Sequence, residues 1–179
     1  ITNYADGSGS LNEIKVADKL QATGAISIVN EESDINVAQG SEITSSASNV
    51  TLDSAKNVSI AGAVNASADA SINAKGEIDV EGNVNAANAM LKADSNITVN
   101  NITASQKASF EAGEDFIHNG GAINAKEVVA FAQRDVLLNS GSMVADAATL
   151  TATSGAIVEK YGYVVDTPVL TAGAGGAID

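Results

Sequence analysis

NVTLDSAKNVSIAGAVNASA, residues 49–68, runs directly into DASINAKGEIDVEGNVNAAN, residues 69–88, and the two superimpose without a gap. Each carries three apolar pairs of the form Φ-x-Φ in one order: Val50/Leu52, Val58/Ile60 and Val64/Ala66, then Ala70/Ile72, Ile78/Val80 and Val84/Ala86. In a strand, residues i and i+2 share a face and the residue between them points the other way, so each pair marks a short strand with two inward side chains. Successive pairs begin 8, 6 and 6 residues apart, which leaves a few residues for each corner. Corners such as Ala61-Gly62-Ala63 and Glu81-Gly82-Asn83 hold residue types that tolerate turn conformations. Three strands and three corners in every 20 residues describe a three-sided coil.

The pattern extends in both directions. Ala89/Leu91, Ile97/Val99 and Ile102/Ala104 form a slightly shorter coil, followed by Ala108/Phe110 with Phe116 and Ile123/Ala125, then by Ala130 with Val136/Leu138 and Met143/Ala145. DFIHNGGAINA from Asp115 aligns with DVLLNSGSMVA from Asp135, and LTATSGAI from Leu150 is echoed by LTAGAGGAI from Leu170. Towards the N-terminus the pairs loosen to Ile14/Val16, Ile26/Ile28 and Ile35/Val37, giving seven to eight coils in all. A single coil cannot bury its inward side chains, so coils must stack about 4.8 Å apart with equivalent strands parallel. The expected fold is all-β, a right-handed parallel β-helix with three short strands per coil of about 20 residues. It forms one segment over residues 1–179, less regular over 1–48 and regular over 49–179. The last coil stops at Asp179 partway through the period, so a longer solenoid is expected. Inward Ala66, Ala86, Ala104, Ala125 and Ala145 imply a narrow interior in which large rings would clash. Helices are disfavoured, because period-2 pairs and frequent Gly or Asn leave no run long enough for one.

Composition fits a thin, repetitive interior. Apolar residues make up 45% of the chain but aromatic ones only 3%, with 16 Gly and a single Pro. The net charge of −13, from 22 acidic residues against 9 cations, argues against a nucleic-acid partner, whose phosphates require clustered Lys and Arg. There is no Cys for a disulfide or a thiolate metal site, and no apolar run of about 18 residues, so any membrane anchoring must come from regions outside this chain.

The coils from Asn49 and Asp69 resemble the filamentous-hemagglutinin-like repeats of bacterial two-partner-secreted and autotransporter adhesins, and the likeness extends loosely over nearly the whole chain. That resemblance implies a parallel β-helical scaffold, secreted or held at the bacterial cell surface, acting as an adhesin stalk or binding fibre. Its partners would be a host-cell receptor or glycan, or neighbouring segments of the same exoprotein.

The residues point away from catalysis. An enzyme on this scaffold, such as a carbohydrate-active β-helix or a phage tail-spike fragment, is the alternative reading, and it would need clustered ionisable or aromatic groups in a groove. The chain offers one His and one Arg. His118 takes the coil position of Ile60, Val80 and Leu138, an inward or corner site where a structurally satisfied His is expected, and Arg134 reads as a solubilising corner charge. Glu77, Asp79 and Glu81 alternate with Ile78 and Val80 and read as a solvated acidic face, while Asn65, Asn85, Thr103 and Asn124 form an outward polar ladder. No catalytic, cofactor-binding or metal residue is assigned, and the calcium-binding nonapeptide pattern GGxGxD is absent. Sequons at Asn49, Asn57, Asn65, Asn96 and Asn101 are candidate glycosylation sites. Tyr161 and Tyr163, which interrupt the repeat, are the candidate aromatic contacts, with packing over the coil edge as the other option.

Overall fold

The computed structural model describes residues 12–179, together with the backbone of the short strand Thr2–Asn3. Residues 1 and 4–11 of the expected irregular N-terminal region lie outside the described residues. Among the described residues all 21 strands join one continuous parallel sheet that folds into a three-sided β-solenoid. The first face stacks Thr2–Asn3, Ile26–Asn30, Val50–Ser54 and Asp69–Ala74 on the later parts of Ile78–Ala93 and Ile97–Ala112, then on Glu127–Ala132, Ala147–Ala152 and Leu170–Ala174. The second runs from Ile14–Val16 through Ile35–Val37, Val58–Ile60, Ile78, Ile97, Phe116–His118 and Val136–Leu138 to Ile157–Glu159. The third runs from Lys19–Ala22 through Glu42–Ser45, Ala63–Ala66, Val84, Ile102, Ala122–Asn124 and Ser142–Val144 to Val164–Asp166. In Ile78–Ala93 and Ile97–Ala112 the chain keeps strand geometry around its corners, with register irregularities between Val80 and Asn83 and between Ala86 and Asn88.

The inward columns form the core. On the second face Val58, Ile78, Ile97, Phe116, Val136 and Ile157 follow one another, each at most 4% exposed, as the Φ-x-Φ reading requires. The first face adds a third inward position that the paired pattern did not reveal: Asn30, Ser54, Ala74, Ala93, Ala112, Ala132 and Ala152. Its two N-terminal members are polar yet satisfied. Asn30 Nδ2 donates to the Asn12 and Asp34 carbonyls and its Oδ1 accepts from the Glu32 and Ser33 amides, while Ser54 Oγ donates to the Ser33 carbonyl. The interior also accepts rings, contrary to the expectation from its alanines. Phe110 and Phe116 are both buried, with centroids 4.6 Å apart. Ala108 lies beside Phe110 on its strand and Ala130 follows Phe110 in the next coil, so small residues release the volume that the rings take up.

The corners are held by side chains that reach one coil onward. Just before the second face, Asp34, Asn57, Asn96, Asp115 and Asp135 each accept, through Oδ1, the backbone N–H of the equivalent residue in the next coil, at 2.9, 2.8, 3.1, 3.0 and 2.7 Å. An Asx residue directly before a Φ-x-Φ pair is the sequence mark of this clip. At the next corner Gly82 is required by close approach, since a Cβ there would lie 1.8 Å from the Gly62 carbonyl oxygen.

Candidate contact surface

Most of the exterior consists of flat strand faces, and what they present follows from strand parity. The acidic strand behaves as expected. Asp79 stands between Ser59 and Thr98 in the neighbouring coils, so like charges do not stack directly. Burial and then the flanking Glu81 and Glu77 carboxylates push the Asp79 carboxyl above the usual carboxylate range. On the third face Asn85 Nδ2 donates to Asn65 Oδ1 at 2.8 Å, and Asn65 Nδ2 donates onward to Glu42 and Thr44, so the Asn65–Asn85 rung of the ladder is hydrogen-bonded and extends towards the N-terminus, while Thr103 and Asn124 follow in register.

Arg134 stays a half-exposed corner charge, as the sequence suggested, and also pairs with the coil before it. Its Nε donates to Asp115 Oδ1 at 2.7 Å and its Nη2 to Oδ2 at 2.5 Å, a bidentate pair across one coil step. The guanidinium, helped by the Asp135 amide, holds the Asp115 carboxyl below the usual carboxylate range against the effect of burial. Arg134 therefore reinforces the corner clip beneath it.

The two tyrosines part company. Lys160 to Tyr163 forms a tight turn in which the Tyr163 amide donates to the Lys160 carbonyl at 3.1 Å and Gly162 takes φ 93°, a conformation that favours glycine. Tyr161 is fully exposed at the tip, but Tyr163 is 5% exposed and turns inward, so it is corrected from surface contact to buried anchor. Its hydroxyl lies 2.5 Å from His118 Nδ1, and His118 Nε2 lies 3.0 Å from the Asn100 carbonyl. A carbonyl can only accept, so Nε2 carries the proton and Nδ1 accepts from Tyr163. Burial pushes the His118 pKa down, and it pushes the Tyr163 pKa up with help from Glu159. The imidazole is thus an inward, neutral structural group, and the turn that presents Tyr161 is fastened two coils below.

The sequon asparagines divide by hydrogen bonding. Asn65 and Asn96 donate through Nδ2 to Glu42 and Glu77. The exposed Asn49 and Asn57 use Oδ1 to accept the Asp69 and Glu77 amides, and Asn101 Oδ1 accepts the Ala122 amide. Sequence reasoning missed Phe131. In Glu127–Ala132, Val128, Ala130 and Ala132 point inward, so Phe131 stands outward, half-buried, between Glu111 and Thr151. Counting parity from Val128 would have found it. Among the described residues no group of three or more His or carboxylate side chains is placed to hold a metal ion.

This architecture defines a structural repeat protein that presents surface along a stack of coils. The chain belongs to the hemagglutinin repeat family, whose model matches residues 8–148. The family is one of structural and adhesive proteins, typically parts of secreted or surface adhesins. No curated protein and no solved structure matches the chain.

Proposed function

We propose that this chain is a structural and adhesive segment of a secreted or surface-exposed bacterial exoprotein, an adhesin stalk that also contributes a contact to a host-cell receptor or glycan and carries out no chemical reaction. The observation that supports this best is the turn at Tyr161, a fully exposed ring on a base fixed by Tyr163 and His118. A large aromatic with only two side-chain torsions to order on docking, carried on a fixed turn, suits an anchor of a binding surface. Host-cell binding by the purified segment tests the reading, with Tyr161→Ser expected to weaken it and Glu81→Gln, four coils away along the same corner, expected to leave it unchanged. Cell binding that neither the native segment nor its variants show, or glycan cleavage lost on changing His118 or Arg134, would overturn the proposal. Glycan modification, if the exoprotein carries it, belongs at Asn49 and Asn57 ahead of Asn65 and Asn96, whose amide nitrogens already donate to carboxylates. Mass spectrometry of protein from the native host reads this ranking directly.

A further inference from the structure

Phe131 borders a feature that strand parity alone does not produce. In the corner column after the first face the successive residues are Asp94, Gly113 and Gln133, each bonded through its amide to the preceding coil. No side chain fits at Gly113, where a Cβ would lie 2.0 Å from the Asp94 carbonyl oxygen, so the column dips between the Asp94 and Gln133 side chains. The notch is a surface groove of about 260 Å³, walled by Phe131, Gln133, Asp94 and the Lys92 and Glu111 pair. Among the described residues Phe131 is the only aromatic ring standing outward from a strand face. It stands outside the core cluster, and an aromatic side chain partly exposed over a groove supplies a flat apolar platform.

We infer that this notch is a binding subsite for one pyranose unit of an uncharged glycan, with Phe131 as the stacking platform and Gln133, Asp94, Lys92 and Glu111 as the polar rim. The inference rests on the contact-segment reading above and names the ligand class for a second contact. Sugar hydroxyls both donate and accept, and the rim offers both: the Gln133 amide and the Lys92 ammonium donate, while Asp94, Glu111 and the Gln133 carbonyl accept. A cationic ligand would use only the acceptors. Anionic glycans are disfavoured, because the one ammonium is held by Glu111 at 2.6 Å and Asp94 adds an exposed carboxylate to a chain of net charge −13. The CH-rich face of a pyranose against the Phe131 ring, with rim groups reaching its edge hydroxyls, uses every side chain the notch presents.

The test uses the whole segment on a printed array of neutral, sialylated and sulfated oligosaccharides, with immobilised oligolysine alongside. Neutral hexose or N-acetylhexosamine oligosaccharides should be retained. Phe131→Ala should weaken that retention about tenfold or more, Gln133→Ala should weaken it less, and Phe131→Tyr should preserve it. Glu81→Gln should change nothing, and an unchanged far-UV spectrum and melting temperature exclude misfolding of the outward-facing variants. Preference for sulfated or sialylated glycans or for oligolysine, or neutral-glycan binding indifferent to Phe131→Ala, would overturn the subsite. Absence of all glycan binding with host-cell binding intact also overturns it while leaving the adhesive reading in place. Loss of both overturns the two together.

Discussion

Ile78 and Asp79 are chain neighbours on opposite sides of one strand wall, and the pair gives the sharpest test of the solenoid. Ile78 is 1% exposed and sits between Val58 and Ile97 in the adjacent coils. Ile78→Asp removes an aliphatic side chain whose truncation alone costs about 2–5 kcal/mol, and it adds the cost of a buried carboxyl with no partner. The sum reaches the stability of an ordinary domain, about 5–15 kcal/mol. Asp79→Ser instead removes a carboxylate crowded by Glu81 and Glu77, and should change stability by about 0.5 kcal/mol or less. Its raised pKa fixes the sign: a carboxyl that binds its proton more tightly when folded opposes folding once ionised, so Asp79→Ser should be neutral or slightly stabilising at pH 7. Because each coil contacts only its neighbours, the damage from Ile78→Asp should be local. Urea melts should lose cooperativity, and amide exchange should quicken first in Val58–Ile60, at Ile78 and Val80, and at Ile97 and Val99, while the Ala147–Ala152 strand stays protected. Equal losses from the two substitutions would refute the assigned register.

Gly82→Ala should destabilise by more than the roughly 1–3 kcal/mol of ordinary overpacking, because its Cβ would meet backbone at 1.8 Å, whereas Gly24→Ala, with nothing within 4 Å, should be tolerated; thermal melts compare them. His118 has a depressed folded pKa, so its contribution is fully present above the unfolded value and declines as pH falls below about 6.5; the urea midpoint should drop between pH 7.5 and 5.5 in the native chain and less so in His118→Leu. Tyr163→Phe should cost about 1–3 kcal/mol by leaving His118 Nδ1 buried without a donor, as read from urea melts. Arg134→Ala should let the Asp115 pKa climb back towards its unfolded value, so that the stability this carboxylate contributes above about pH 4, lost in the native chain as pH falls through the folded pKa, shrinks and stability near neutral pH is lower; a carboxyl NMR titration follows the pKa.

The coil period was open to reading because stacking forces the same chemistry on every copy. Val58, Ile78, Ile97 and Phe116 must all be apolar to fill one column, and that necessity is written at fixed intervals along the chain. Other features depend on relations the period does not carry. The third inward column escaped because Ala serves equally well inside or outside, so Ala74 and Ala93 bear no mark of burial in their letters. Tyr163 was misplaced because its partner, His118, is 45 residues away and the link crosses two coils. Phe131 was overlooked because the Φ-x-Φ pairs catch the ends of an apolar triplet and not the residue that alternates between them. Arg134 matches a corner charge in sequence, and only the coil stacking places Asp115 beneath its guanidinium.

The clips from Asp34, Asn57, Asn96, Asp115 and Asp135 bind each coil to the next along the stacking axis, as do the backbone ladders, so a pull on the two ends loads these joints in series. A rung that yields shortens the stack by about 4.8 Å and frees some twenty residues, which reach about 65 Å when drawn out. Stretched by shear flow, such a tether would lengthen coil by coil under a near-constant load, and would rewind each coil onto the intact stack when the load fell.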